Sequence, residues 1–214
     1  MKVKNVVICA AGLGSRLGLD MPKCLVKLGK HRLIYYLLDI LKDVENIRIV
    51  VGFKEEDVID YVKNIREDVV FVRNPDYSST TNAYSLHLGS HDLKEPFMSI
   101  DGDMILDSEN FKLFTDAIDI NEDLIGLTKA KTEDAVFAKT DKNEFITEFS
   151  RKPISNYEWC GVAYFANFKV SKDGQYVYQE IEPHLPMKSV LMECWEIDTP
   201  GDLDLVVNEV SHIF

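Results

Sequence analysis

The chain has 214 residues, 46% hydrophobic and 28% charged, which is enough for one soluble α/β domain with a substantial core. A formal net charge of −12 argues against a nucleic-acid partner, because such binding draws most of its affinity from surplus Lys and Arg. No apolar run approaches the ~18 residues of a membrane span, and Cys9, Cys24, Cys160 and Cys194 lack C-x-x-C spacing, the pattern of reduced thiols in a cytoplasmic protein without zinc.

In chain order, Val6 to Cys9 is a continuous apolar run that predicts a strand covered on both faces, and Ala10 and Ala11 leave its end free of bulk. Gly12, Gly14 and Gly18 then permit left-handed turns whose N–H groups make a concavity for an anion. Arg16 and Lys23 add a planar fork and a compact ammonium, a pair suited to a triphosphate. The dinucleotide fingerprint G-x-G-x-x-G fails at Leu17, and Gly52-Phe53 after the next strand offers no acid for a ribose; this argues against a nicotinamide-dependent oxidoreductase. Walker spacing is absent as well.

Leu33, Ile34, Leu37, Leu38 and Leu41 predict a helix, Ile47 to Val51 a buried strand, Val58, Ile59 and Val62 a second helix, and Val69 to Val72 a third strand. This alternation implies a parallel sheet with ligands beyond its strand C-termini. The next loop, RNPDYSSTTNAYSL, is rich in hydroxyls and amides. It reads either as base recognition or as an Asn74-Pro75-Asp76 turn followed by a helix capped near Thr81. Phe97 to Ile100 runs into Asp101-Gly102-Asp103, two carboxylates at a strand end, placed to hold a cation.

A helix over Phe111 to Ile118 precedes strands Leu124 to Lys129, Ala135 to Lys139, Phe145 to Phe149 and Trp159 to Phe165. Tyr157, Glu158, Trp159 and Tyr164 could surround a cationic head or simply pack the core. Tyr176 and Tyr178 read as core or surface residues of a helix. The last strand, Met192 to Ile197, leads through Asp198 to a helix from Gly201 to His212, with Thr199 as cap and Pro200 at its first position. Asp198 would meet Asp103 and supply hard oxygen ligands. His31, His87, His91, His184 and His212 show no metal or triad spacing.

Four stretches carry a resemblance: A-A-G-x-G-S-R-L followed by Pro22-Lys23, Gly102-Asp103-Met104, Lys152-Pro153, and W-E-I-D-T-P-x-D-L near the C-terminus. Together they resemble the nucleotidylyltransferases that activate sugar phosphates and phosphocholine, especially the small cytidylyltransferase branch. The resemblance implies a Rossmann-like α/β fold with a mixed, mainly parallel sheet flanked by helices, of nucleotide-diphospho-sugar transferase type, plus a small β-rich acceptor lobe. It divides a single domain into 1–107 for the nucleotide, 108–190 for the acceptor, and 191–214 for the metal-ligand strand and C-terminal helix.

The resemblance also implies roles. Arg16 and Lys23 act on the triphosphate; Ala10, Ala11, Gly12, Gly14, Ser15, Asn74, Asn82 and Ser85 bind the nucleotide. Lys152, Glu158, Trp159, Gly161 and Tyr164 bind the acceptor. Asp103 and Asp198 hold Mg²⁺ with Glu196 assisting, and Asp101 stands behind them. The expected reaction transfers CMP from CTP to phosphocholine or a related phosphate or phosphonate. The alternatives are a sugar-1-phosphate acceptor with UTP, dTTP or CTP, and a non-catalytic nucleotide-binding subunit. Partners are then the nucleoside triphosphate and the acceptor, with neither nucleic acid nor membrane, and a homo-oligomer is left open.

Overall fold

The computed structural model describes residues 3–131, 135–210 and 213. In the first half, β1 (Asn5–Ala10) is followed by the hairpin of β2 (Lys27–Leu28) and β3 (His31–Arg32), then α1 (Leu33–Ile40), β4 (Asn46–Val51), α2 (Glu55–Lys63) and β5 (Val70–Arg73). Next come α3 (Asn82–Ser90), β6 (Phe97–Asp101), β7 (Met104–Leu106) and α4 (Ser108–Ala117). The second half comprises β8 (Leu124–Lys129), β9 (Phe137–Thr140), β10 (Phe145–Ser150), β11 (Tyr157–Phe165), α5 (Val177–Ile181), β12 (Met187–Leu191), β13 (Cys194–Glu196) and α6 (Pro200–Glu209). Among the described residues, no helix is long and apolar enough to cross a membrane.

Nine strands form one mixed sheet in the order β5-β4-β1-β6-β11-β8-β12-β10-β9. β5, β4, β1 and β6 run parallel, as the alternating βα pattern requires. β11 then pairs antiparallel with both β6 and β8, so the second half extends the same sheet instead of building a separate one. Successive β1 side chains face opposite layers: Val6 and Ile8 pack with α1 and α2, Val7 with α3. Both faces are covered, which explains the unbroken apolar run.

The structure departs from expectation at several elements. The strand expected from Ala135 begins at Phe137, and β12 had no counterpart among the predicted elements. The strand expected over Met192 to Ile197 is the shorter β13, which pairs with β7 outside the main sheet. The last helix ends at Glu209, and His212 lies outside the described residues. Thr81 occupies the N-cap of α3 without capping it, because its hydroxyl donates to the carbonyl of Gln175. Gly14 and Gly18 are left-handed, with φ of 63° and 71°, whereas Gly12 is not.

Candidate active site

β1 and β6 lie side by side with Cys9 opposite Asp101, so the glycine loop and the Asp101-Gly102-Asp103 turn emerge together. Gly102 N donates to Cys9 O at 2.8 Å, and a Cβ at Gly102 would meet Ala10 Cβ at the same distance. Only glycine permits that approach. The left-handed Gly14 has a second function, since a Cβ there would stand 2.9 Å from Lys23 Cγ. Its missing side chain lets the Lys23 stem cross the loop. Between these turns lies a cavity of about 230 Å³, lined by Gly12, Lys23, Tyr77, Asn82, Ser85 and Asp103 among others.

The acids converge through β-pairing. β13 runs antiparallel to β7 with Glu196 opposite Met104, and Ile197 N donates to Asp103 O at 3.0 Å. Asp103, Glu196 and Asp198 thereby bring one carboxylate oxygen each within 4.8 Å of one another. The Lys23 ammonium donates to Asp103 Oδ2 at 2.7 Å and also to Asp198 Oδ1, while Arg16 pairs with Asp198 Oδ2. Asp198 is held from behind, because Asp202 Oδ2 accepts from Asp198 N at 3.1 Å and from Thr199 N at 2.7 Å within the capping box of α6.

Negative charge is concentrated here. Burial, then the charges of Asp103 and Glu196, hold the Asp101 carboxyl well above the usual range. Crowding of its carboxyl by protein, then the charge of Asp103, push Glu196 up to about 7, although the residue as a whole is exposed. Three oxygen donors already gathered around a lysine cation fit a hard divalent ion.

The MobA-like NTP transferase domain matches residues 6–161 of this sequence, well over half of it. The chain belongs to the MobA-like NTP transferase family. A relative, the bifunctional protein GlmU of Methanococcus aeolicus, is 26% identical over 171 residues, which are 76% of this chain and 40% of that protein. GlmU of Neisseria meningitidis serogroup C is 32% identical over 116 residues, 53% of this chain and 25% of that protein. The chain thus spans less than half the length of the curated relatives it matches. Among solved structures, the inositol-1-phosphate CTP transferase from T. maritima has a TM-score of 0.78 at 22% identity, covering 99% of this chain and 94% of that one. The CTP:phosphocholine cytidylyltransferase from Streptococcus pneumoniae has a TM-score of 0.75 at 23% identity, covering 96% and 98%. Both carry the fold expected from the sequence.

In this MobA-like transferase a larger cavity of about 610 Å³ adjoins the first, and Asn82, Asp101 and Glu196 line both. Glu158 and Trp159 line it, and so does Gly161, whose φ of 73° bulges β11 toward Asp101. Trp159 Nε1 donates to Val162 O at 3.3 Å.

Five expected residues line neither cavity, and Gly14, whose part is to let the Lys23 stem pass, is one of them. Lys152 is exposed outside the cavity, and its neighbour Arg151 lines it. Tyr164 is 2% exposed at the far end of β11, where its hydroxyl donates to Ile120 O at 3.4 Å. Asn74 is buried and lines neither of these cavities; its amide donates to Thr80 Oγ1 and Ser85 Oγ, and its Oδ1 accepts from Asp76 N. Ser15 opens a 3-10 turn and contributes to neither cavity.

Sequence reasoning passed over Lys131, Tyr176, Tyr178 and Trp195, all lining the larger cavity. Tyr176 and Tyr178 were expected as core or surface residues of a helix. They stack on each other at the start of α5, with centroids 5.9 Å apart. Their two-residue spacing across the start of a short helix was the available signal.

Proposed function

We propose that this chain transfers a nucleoside monophosphate, CMP from CTP, to a phosphate or phosphonate oxygen of a small acceptor and releases pyrophosphate. The observation that carries this reading is the gathering of Asp103, Glu196 and Asp198 around Lys23, at the mouth of the glycine loop and between two adjoining cavities. The nucleotide takes the smaller cavity. Its triphosphate lies against the backbone of Ala10 to Gly12, its base near Asn82 and Ser85, and Arg16 and Lys23 neutralise charge that develops at the α-phosphorus and the leaving pyrophosphate. Asn74 supports Ser85 from behind.

Asp103 and Asp198, with Glu196 assisting, would hold Mg²⁺. When bound, the ion supplies charge neutralisation and alignment of phosphate oxygens. The acceptor occupies the larger cavity with its phosphate toward Arg16. An ionised phosphate oxygen needs no general base, so the chain's contribution is orientation and electrostatic stabilisation. The use of CTP is supported by the short glycine loop and by two similar folds whose names specify CTP.

Two acceptor classes fit the cavity. Phosphocholine-type acceptors are supported by the rings of Trp159, Tyr176 and Tyr178 near the Glu158 carboxylate. Sugar phosphates are supported by the basic side chains Lys131 and Arg151 in the same wall. Pyrophosphate release with CTP, UTP and dTTP, each against phosphocholine, an aminoalkylphosphonate and glucose 1-phosphate, tests the reaction. CTP-dependent release is expected with at least one acceptor, lost in EDTA and reduced on the order of a hundredfold in Asp103→Asn. Release with none of the pairs, or full turnover by Asp103→Asn, overturns the reading.

A further inference from the structure

The turn that follows β4, Gly52-Phe53-Lys54, holds the glycine loop at both ends. At the start of the loop, Phe53 N donates to Ala11 O at 3.1 Å, and Gly52 lies so close that a Cβ there would stand 2.8 Å from the same oxygen. At the far end, Lys54 Nζ donates to Asp20 O at 2.6 Å and pairs with Asp20 Oδ2 at 2.8 Å. Lys23 follows three residues later. Between these points Leu17 N donates to Gly14 O and Gly18 N to Ser15 O, bonds made within the loop itself. Leu17 is buried and fixes the middle, and the left-handed Gly18 then separates it from the exposed Leu19 and Asp20. Lys54 attaches this second limb to the main sheet.

Lysine is an unfavourable choice for this position. The backbone of Lys54 is left-handed, with φ 46° and ψ 47°, a conformation that crowds a side chain and that glycine or asparagine takes more readily. Lys54 also occupies the N-cap of α2, where Ser, Thr, Asp or Asn is favoured for bonding a free N–H of the first turn, and its side chain makes no such bond. What lysine provides is reach. Its ammonium stands 5.4 Å from the centre of the Phe53 ring and extends to the Asp20 carbonyl. The ion pair adds little, because the Asp20 side chain is 87% exposed, so the bond to the carbonyl is the one that fixes position. Residues held in sparsely populated backbone regions cluster where function requires them. Lys54 lines neither of the cavities assigned to substrates, so it acts on them through the loop.

We propose that Lys54 is a positioning residue for the nucleotide: by holding Asp20 it keeps the glycine loop in the shape that presents Arg16 and Lys23 to the triphosphate, against the strain of its own turn. This rests on the transferase reading above and adds to it the residue that preorganises the loop. Without the tie, part of the binding energy of the triphosphate is consumed in ordering the second limb, which weakens nucleotide binding. Once the nucleotide is bound the loop regains its shape, and the chemical step proceeds as before.

The test compares wild type with Lys54→Gly, Lys54→Arg and Asp20→Ala, varying CTP under saturating Mg²⁺ with the acceptor that wild type uses best. Lys54→Gly removes the tie and the backbone strain together. It is expected to raise the KM for CTP about fivefold and to leave kcat within about twofold. Its melting temperature should stay within about 3 °C of wild type, because relief of strain offsets the greater freedom of glycine in the unfolded chain. Lys54→Arg, long enough to reach the same carbonyl, should keep the KM within about twofold of wild type. Asp20→Ala should do the same, since it deletes the exposed carboxylate and leaves the carbonyl in place.

Trypsin reports on the loop without any turnover. Cleavage after Arg16, followed by mass spectrometry as the fragment 1–16, should be severalfold faster in Lys54→Gly than in wild type when neither holds nucleotide. A wild-type KM for CTP in Lys54→Gly, or a fall in kcat and melting temperature in place of a raised KM, overturns the proposal. Absence of turnover by wild type with every acceptor counts against the transferase reading itself. Lys54 is then decided by calorimetric titration of CTP with Mg²⁺ and by the cleavage rates: a Kd raised about fivefold in Lys54→Gly, with faster release of the fragment, sustains the proposal, and an unchanged Kd overturns it.

Discussion

Lys23 is held between acids 80 and 175 positions away in the chain, and its side chain is 17% exposed. Removing it leaves Asp103, Glu196 and Asp198 crowded without their central cation, and breaking a partly buried pair costs about 2 kcal/mol after allowance for solvent screening. Lys23→Met is therefore expected to melt several degrees lower than wild type in EDTA and to recover more than wild type when Mg²⁺ is added, as followed by thermal denaturation. Unchanged melting in EDTA would contradict the assignment. Glu158 makes a second residue-level prediction. Burial raises its carboxyl above the ordinary value, against a lowering contribution from Lys131. A raised acid binds its proton more tightly in the fold than in the unfolded chain, so its stabilisation is complete below the ordinary carboxylate pKa and is lost as pH rises through the raised value. Glu158→Gln does not titrate, so its melting temperature should gain on wild type as pH rises above the ordinary carboxylate pKa. Individual site residues differed in how legible they were. Arg16, Lys23, Asp103 and Asp198 stood in spaced motifs whose chemistry names a triphosphate and a metal. Asn74, Tyr164 and Lys152 stood equally near motifs, yet burial against Ser85, burial under Ile120 and exposure to solvent respectively depend on packing that spacing does not encode.

At the scale of elements, the site depends on two irregularities. The first is the bulge of β11 at Gly161, where φ is 73° and an added Cβ would stand 2.9 Å from Asp101 Oδ2. Gly161→Ala is expected to cost about 2 kcal/mol from the left-handed backbone alone. It should also raise the KM for the nucleotide, because Asp101 lines the cavity assigned to it and must move aside. Melting and steady-state kinetics on one preparation test both, and an unchanged melting temperature would show that the bulge relaxes freely. The second is the capping box joining Thr199 to Asp202, which fixes the Asp198 backbone. Elements with strong periodicity were readable: the Val6 to Cys9 run, the α1 heptad of leucines and isoleucines, and Pro200 after Thr199 all predicted what formed. β12 was missed and β13 was drawn too long because MKSVL and CWE are too short to show a period, and each is defined by its partner, β8 or β7.

For the whole molecule, the decisive feature is that the parallel half, β5 to β6, and the largely antiparallel half, β11 to β9, share one sheet, joined at β6 and β11. The two cavities lie on either side of this seam and share Asp101, so relative movement of the halves would pull the nucleotide away from the acceptor. The sequence was read as a single domain with a small β-rich lobe, and the register of β11 against both β6 and β8 makes that lobe a continuation of the main sheet. A continuous sheet whose central strands are buried on both faces should unfold as one unit. Ile125, in β8, is fully buried, and truncating it to alanine should cost about 3 kcal/mol through lost transfer energy and an unfilled cavity. If the halves are one cooperative unit, Ile125→Ala lowers the exchange protection of amides in β4, in the parallel half, by the same free energy as those in β8. If β4 keeps its wild-type protection while β8 loses it, the antiparallel half opens by itself, and the alignment of the two substrates would have to come from a closing step and not from a rigid sheet.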